Sequence, residues 1–148
     1  MVFRGTYQHA LDAKHRLTIP SRFREDFEGG LVAVKGVDPC VELWRTHEYE
    51  AHVDAATTNY AAMSPELRQT LRLMQGSAFD TSLDKVGRVG LTAQLMTHAA
   101  LDKDVVLVGT GRCIEVWDRT RWEQQEAGLP AAVSAITAQG SSIPGTIG

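Results

Sequence analysis

This chain contains one design written twice. "LDAKHRLTIP", beginning at Leu11, matches "LDKVGRVGLT", beginning at Leu83, and pairs Asp12 with Asp84 and Arg16 with Arg88 at an offset of 72. "LVAV" at 31–34 then matches "VVLV" at 105–108, and "CVELW" at 40–44 matches "CIEVW" at 113–117. Tyr49-Glu50 stands opposite Trp122-Glu123, and the offset drifts only to 74 and back to 73. Three blocks in one order identify an internal duplication. A copy of roughly fifty residues buries too little surface to hold a core alone. The two copies must therefore share one, as a pseudo-symmetric unit with interlocked hairpins.

Each copy reads as strand, turn, strand, short helix, strand, turn, strand, helix, which makes the fold class α+β. "GTYQHAL" and "RLTI" carry near period-two patterning on either side of a basic turn. Pro20 ends the second strand and can open a helix, in which Phe23 and Phe27 share one face while Arg22 and Arg24 point elsewhere. "KGVDP" is a turn composition between "LVAV" and "CVELW". Between the copies, Ser64 and Pro65 suit the N-cap and first position of a helix with a Leu67, Leu71, Met74 stripe, expected to face the core. Thr120 and Glu123 have capping-box spacing ahead of the last helix. Trp44 and Trp117, at matched positions, are expected to pack equivalently in the core. The predicted organisation is a first repeat over 1–50, linking helices over 51–74, a second repeat over 75–126, and a largely disordered tail over 127–148. Within that tail "AAVSAITA" is able to form only a weak helix.

At 43% hydrophobic and 22% charged residues, the 148-residue chain has a soluble globular composition. It has no apolar run of membrane-spanning length and no signal-peptide core, so the expected location is the cytoplasm. Two cysteines, Cys40 and Cys113, offer neither a disulfide framework nor zinc spacing and read as small buried side chains. The net charge of −3 is unevenly spread. Residues 1–24 hold Arg4, Lys14, Arg16, Arg22 and Arg24 against Asp12, a net of +4 that leaves −7 on the rest. Such segregation permits a local positive potential on an acidic protein, although scattered basic residues would give the same count.

An aspartate and an arginine flanking a three-residue turn can pair with each other, or the aspartate can cap the turn backbone. Either arrangement stiffens a hairpin whose tip carries Lys14 and His15, or Lys85 in the second copy. A rigid cationic tip loses little entropy on meeting phosphate. One such motif is equally a surface ion pair worth about 0–1 kcal/mol. Two, beside a helix with two more arginines, favour a binding role.

"FRGTYQHALDAKHRLTIPSRFRE", "LDKVGR" and "VVLVGTGRCIEVW" together resemble the MraZ family of bacterial transcription regulators over roughly residues 1 to 125. The resemblance implies two SpoVT–AbrB-type swapped-hairpin modules and a cytoplasmic, nucleoid-associated DNA-binding protein. It also implies a ring-like homo-oligomer, acting on direct repeats in the promoter of the division and cell-wall gene cluster. Carried over, the family motif falls on Asp12, Lys14 and Arg16 and on Asp84 and Arg88, with Arg22 and Arg24 at the basic helix positions. His15 stands where the family usually has glycine, Val86 where a lysine or polar residue is expected, and Thr92 where a second proline is usual. The expected contacts to double-stranded DNA are Arg4, Lys14, His15, Arg16, Arg22, Arg24, Lys85 and Arg88, with Asp12 and Asp84 stabilising the turns. The first copy carries more of the positive charge and is weighted more heavily.

Other classes find less support. His9, Asp12 and His15 are close in sequence, and Glu48 and His52 share a helical face, but no HExxH, CxxC or P-loop is present. No nucleophile elbow or Cys-His context suggests catalysis. The expectation is no enzyme, no metal and no cofactor. The alternative is a protein-interaction module of antitoxin or assembly type, which such folds also serve.

Overall fold

The computed structural model describes residues 2–140, with side chains as far as Ala138. Two compact units divide after Asp118. The first contains β1 (Thr6–Ala10), β2 (Arg16–Thr18), α1 (Ser21–Arg24), a 3₁₀ turn (Glu25–Phe27), β3 (Leu31–Lys35), β4 (Val41–Arg45), α2 (Thr46–Thr57) and α3 (Pro65–Met74). It continues with β5 (Phe79–Thr81), β6 (Arg88–Gly90), α4 (Ala93–His98), β7 (Asp104–Gly109) and β8 (Cys113–Asp118). The second unit is α5 (Arg119–Gly140). The chain is thus α+β, and no described helix is long and apolar enough to cross a membrane.

The strands flanking each basic turn do not pair with one another. β1 pairs antiparallel with β7, and β5 with β3, so each copy lends a strand to the other. The large sheet runs β1-β7-β8-β4-β3-β5, and β2 and β6 make a separate two-stranded ladder. Exchanging the first four strands with the last four reverses this order onto itself. β3, β4, β7 and β8 sit inside the sheet because their apolar runs can be covered on both faces. β1 alternates in exposure and takes an edge.

The main core gathers Leu17, Ile19, Leu31, Val41, Leu43, Val89, Leu91, Leu95, Leu107 and Ile114. Phe3 joins Phe23 edge-on at 5.3 Å and stacks on Phe27 at 5.4 Å between ring centroids. Arg45 lies over the Phe3 ring and pairs with Asp26 at 3.1 Å. A second cluster on the other face of the sheet joins Val32, Val34, Trp44 and Cys113 to Tyr49 and Val53 of α2, with Leu71 and Met74 of α3 against it. Ser64 caps α3 by accepting from the Leu67 amide at 3.1 Å. Trp44 and Trp117 are both buried, and each indole N–H donates to the glutamate two residues before it.

Two expectations shift. α5 begins at Arg119, so Thr120 lies inside its first turn and Glu123 reaches Arg119 at 3.5 Å. The helix then continues through Pro130 to Gly140, across most of the stretch read as disordered. Alanine has the highest helix propensity, and "AAVSAITA" supplies four in the stretch after Pro130, which removes one backbone bond from the helix. Residues 141–148 lie outside the described residues.

Candidate nucleic-acid interface

The ladder pairs Arg16 with Gly90, Leu17 with Val89, and Thr18 with Arg88. Leu17 and Val89 are completely buried and anchor it in the main core. Both loops therefore emerge from one platform. Cross-ties repeat in each direction: the Ile19 amide donates to the Gly87 carbonyl at 2.9 Å, and the Leu91 amide to the His15 carbonyl at 3.0 Å.

Each loop is locked by its aspartate. One oxygen of Asp12 accepts from the Lys14 and Arg16 amides, both at 2.9 Å, while the other takes Arg16 Nε at 2.7 Å. Asp84 does the same with the Val86 and Arg88 amides at 3.0 and 2.9 Å and Arg88 Nε at 2.8 Å. Arg88 also approaches Asp12 at 3.9 Å, which links the loops electrostatically. Pairing and capping, alternatives from sequence, are both made.

These bonds favour the ionised carboxylate. The Arg16 amide above all, then its guanidinium and the Lys14 amide, hold Asp12 down at about 2 against partial desolvation. Asp84 is lowered in the same way, first by the Arg88 amide. Both folded values lie below the ordinary 3.8. The resulting stability is present above about pH 4 and is lost as pH falls toward 2. Asp12→Asn should therefore show a shallower loss of urea midpoint between pH 4 and pH 2 than the wild type. Identical pH slopes would contradict that.

The tips differ. Gly87 has φ +83°, and a Cβ there would lie 2.4 Å from Arg24 Nε. The glycine is what lets Arg24 tuck beside the second loop and donate to the Ile19 carbonyl at 3.0 Å. His15 adopts φ +57° with its side chain exposed. A left-handed conformation costs an L-residue about 1–2 kcal/mol, partly offset because glycine loses about 0.5–1 kcal/mol of backbone entropy on folding. His15→Gly should stabilise the protein by about 0.5–1 kcal/mol in urea unfolding. A lowered midpoint would contradict this.

Asp12, Lys14, His15, Arg16, Asp84, Lys85 and Arg88 are thus brought together on the paired loops. Lys14, His15 and Lys85 are exposed at the tips, while Arg16, Arg88 and Arg24 are half-buried. Arg22 and Arg4 lie with Val2 and Phe23 along a shallow cleft. Arg22 Nη1 donates to the Tyr7 hydroxyl at 2.6 Å, and that hydroxyl donates to the Arg4 carbonyl at 3.0 Å. Tyr7 was missed from sequence because its position in β1 reads only as strand patterning. Thr92 caps α4 by accepting from the Leu95 amide at 3.3 Å.

A family model described as "MraZ protein, putative antitoxin-like" matches residues 2–72 and 74–140. The chain is 37% identical over 123 residues to a protein of Heliobacterium modesticaldum, covering 83% of this chain and 85% of that one. It is 37% identical over 134 residues to one of Corynebacterium glutamicum, covering 90% and 93%. It is 34% identical over 139 residues to one of a Nocardioides species, covering 94% and 96%. All three are named Transcriptional regulator MraZ.

Proposed function

We propose that this chain, which belongs to the MraZ family, is a transcriptional regulator that binds double-stranded DNA through its two Asp-braced loops. The observation that carries this reading is the β2·β6 ladder, which sets both loops side by side on one platform. The names of the relatives support regulation as the role.

Within each loop the aspartate offsets its arginine, so the tip lysines supply the excess positive charge. Lys14 and Lys85 serve phosphates, and His15 lies beside them. Arg16 and Arg88 spend Nε on their aspartates and keep terminal N–H donors for a phosphate or a base edge. Arg22 and Arg4 extend the basic surface past Tyr7. Arg24 braces the second loop and adds charge beneath it. The sequence weighted the first copy more heavily; the shared ladder is the reason to include both.

One subunit offers few contacts, so useful affinity requires several subunits on repeated sites. The resemblance to MraZ regulators further implies a ring-like homo-oligomer on promoter direct repeats, at the nucleoid in the cytoplasm, governing the division and cell-wall gene cluster. Footprinting on the protein's own upstream region, with light scattering for mass, tests this. Protection over short repeats by a species of several subunits is expected. A monomeric species, or no protection even at low salt, would overturn the reading and favour a protein-interaction module.

A further inference from the structure

The centre of the large sheet holds a second cluster that the DNA-facing loops do not use. β4 and β8 pair antiparallel with Glu42 directly opposite Glu115, its counterpart in the other copy. Val41, Leu43, Ile114 and Val116 fill the main core. Alternation therefore puts Cys40, Glu42 and Trp44 on the opposite face, alongside Cys113, Glu115 and Trp117. Like charges directly opposite across a strand pair are destabilising. Each glutamate has one indole N–H at 2.9 Å, from Trp44 or Trp117, which fixes one of its two oxygens.

Cys40 adds what a carboxylate pair alone lacks. Its side chain is completely buried, and Sγ has no hydrogen-bond partner among the described residues. Its Sγ, one Glu42 oxygen and one Glu115 oxygen all lie within 4.8 Å of one another. The β3–β4 turn delivers the thiol. The Gly36 amide donates to the Cys40 carbonyl at 2.8 Å, and His98 holds the Gly36 carbonyl at 2.9 Å. A Cβ on Gly36 would stand 2.6 Å from that sulfur, so glycine makes room for it. Burial pushes both glutamates and the thiol up, and the negative charge of Asp38 adds to the effect at all three. The site is short of positive charge.

We infer that Cys40, Glu42 and Glu115 form a site for one divalent transition-metal ion of zinc type, joining the two copies at the middle of the sheet. A thiolate with two carboxylates is a donor set that zinc accepts, with water completing a tetrahedron. Tetrahedral zinc places its ligand atoms about 3.5 Å apart, not far inside the 4.8 Å within which these three atoms already lie. Glu42 and Glu115 are only half-buried, which leaves an entry path. On binding, the cysteine S–H proton passes to solvent as the S–metal bond forms. A proton shared by the two carboxylates would relieve their repulsion too, with Cys40 then an ordinary buried core side chain, and that arrangement binds no cobalt through sulfur.

Titrating reduced, metal-stripped full-length protein with Co²⁺ tests the site. One ion per chain with a thiolate-to-cobalt charge-transfer band, displaced by Zn²⁺, is expected. Cys40→Ser should abolish the band while Cys113→Ser retains it, and Glu42→Gln and Glu115→Gln should each weaken Zn²⁺ at least tenfold. Zn²⁺ at a hundredfold excess over Kd should raise the wild-type Tm by roughly 8 °C. Cobalt binding without the band, as at surface histidines, no binding at all, or a band that survives Cys40→Ser would each overturn the inference.

Discussion

Replacing both tip lysines, Lys14→Ala with Lys85→Ala, should weaken binding to promoter DNA about 60-fold at 0.1 M salt, and reduce the log-log salt slope by about 1.8, for each engaged subunit. Each ammonium is exposed, and neither joins an ion pair among the described residues. Their removal therefore leaves the aspartate locks intact, and Tm should hold. Each phosphate contact releases about 0.9 counterion, worth about 0.9 log units of affinity at 0.1 M. Salt-series anisotropy on a labelled duplex measures both quantities. An affinity within threefold of wild type, with an unchanged slope, would remove the tips from the interface. Arg16→Ala is a blunter probe, because it dismantles the loop and deletes a DNA donor at once.

The largest stability effect should come from Leu17→Ala. Leu17 is fully buried opposite Val89, at the centre of the ladder that carries both loops. Truncating a leucine in such a place costs about 2–5 kcal/mol, made up of lost transfer energy and a residual cavity. For a chain of this length that is a fall in Tm of roughly 10 °C. The loss should appear as a lower urea midpoint at unchanged m-value, and DNA affinity should fall with it as the platform loosens. A destabilisation below 1 kcal/mol would mean that the ladder is not anchored through this side chain.

Much of this arrangement was legible in the residues because the duplication carried it. Matched Asp-x-x-x-Arg turns predicted equivalent braced loops, and matched Cys-x-Glu-x-Trp strands predicted equivalent tryptophans. Ser64 and Pro65 marked the start of α3 through local chemistry alone. Interlocking of the copies was expected from their small size, but which strands partner across them was not legible. β1 with β7 and β2 with β6 are pairings of residues seventy or more apart, and no local period reports them. The Cys40, Glu42, Glu115 cluster was hidden for the same reason, since short metal motifs report ligands close in sequence and Glu115 comes from the other copy. Tyr7 acquires its role only when α1 brings Arg22 to its hydroxyl. Residues 127–140 were read as disordered because low charge and small residues suggested it, while their alanines favoured the helix that runs to Gly140.

Site-specific photo-crosslinking tests most directly whether the two loops form one DNA-facing surface. A photoreactive side chain is placed in turn at position 14, at 85, and at 54 on the exposed side of α2, and irradiated with promoter duplex. Positions 14 and 85 should both yield salt-sensitive DNA adducts while 54 yields none. Adducts from 54 with none from either loop would contradict the account.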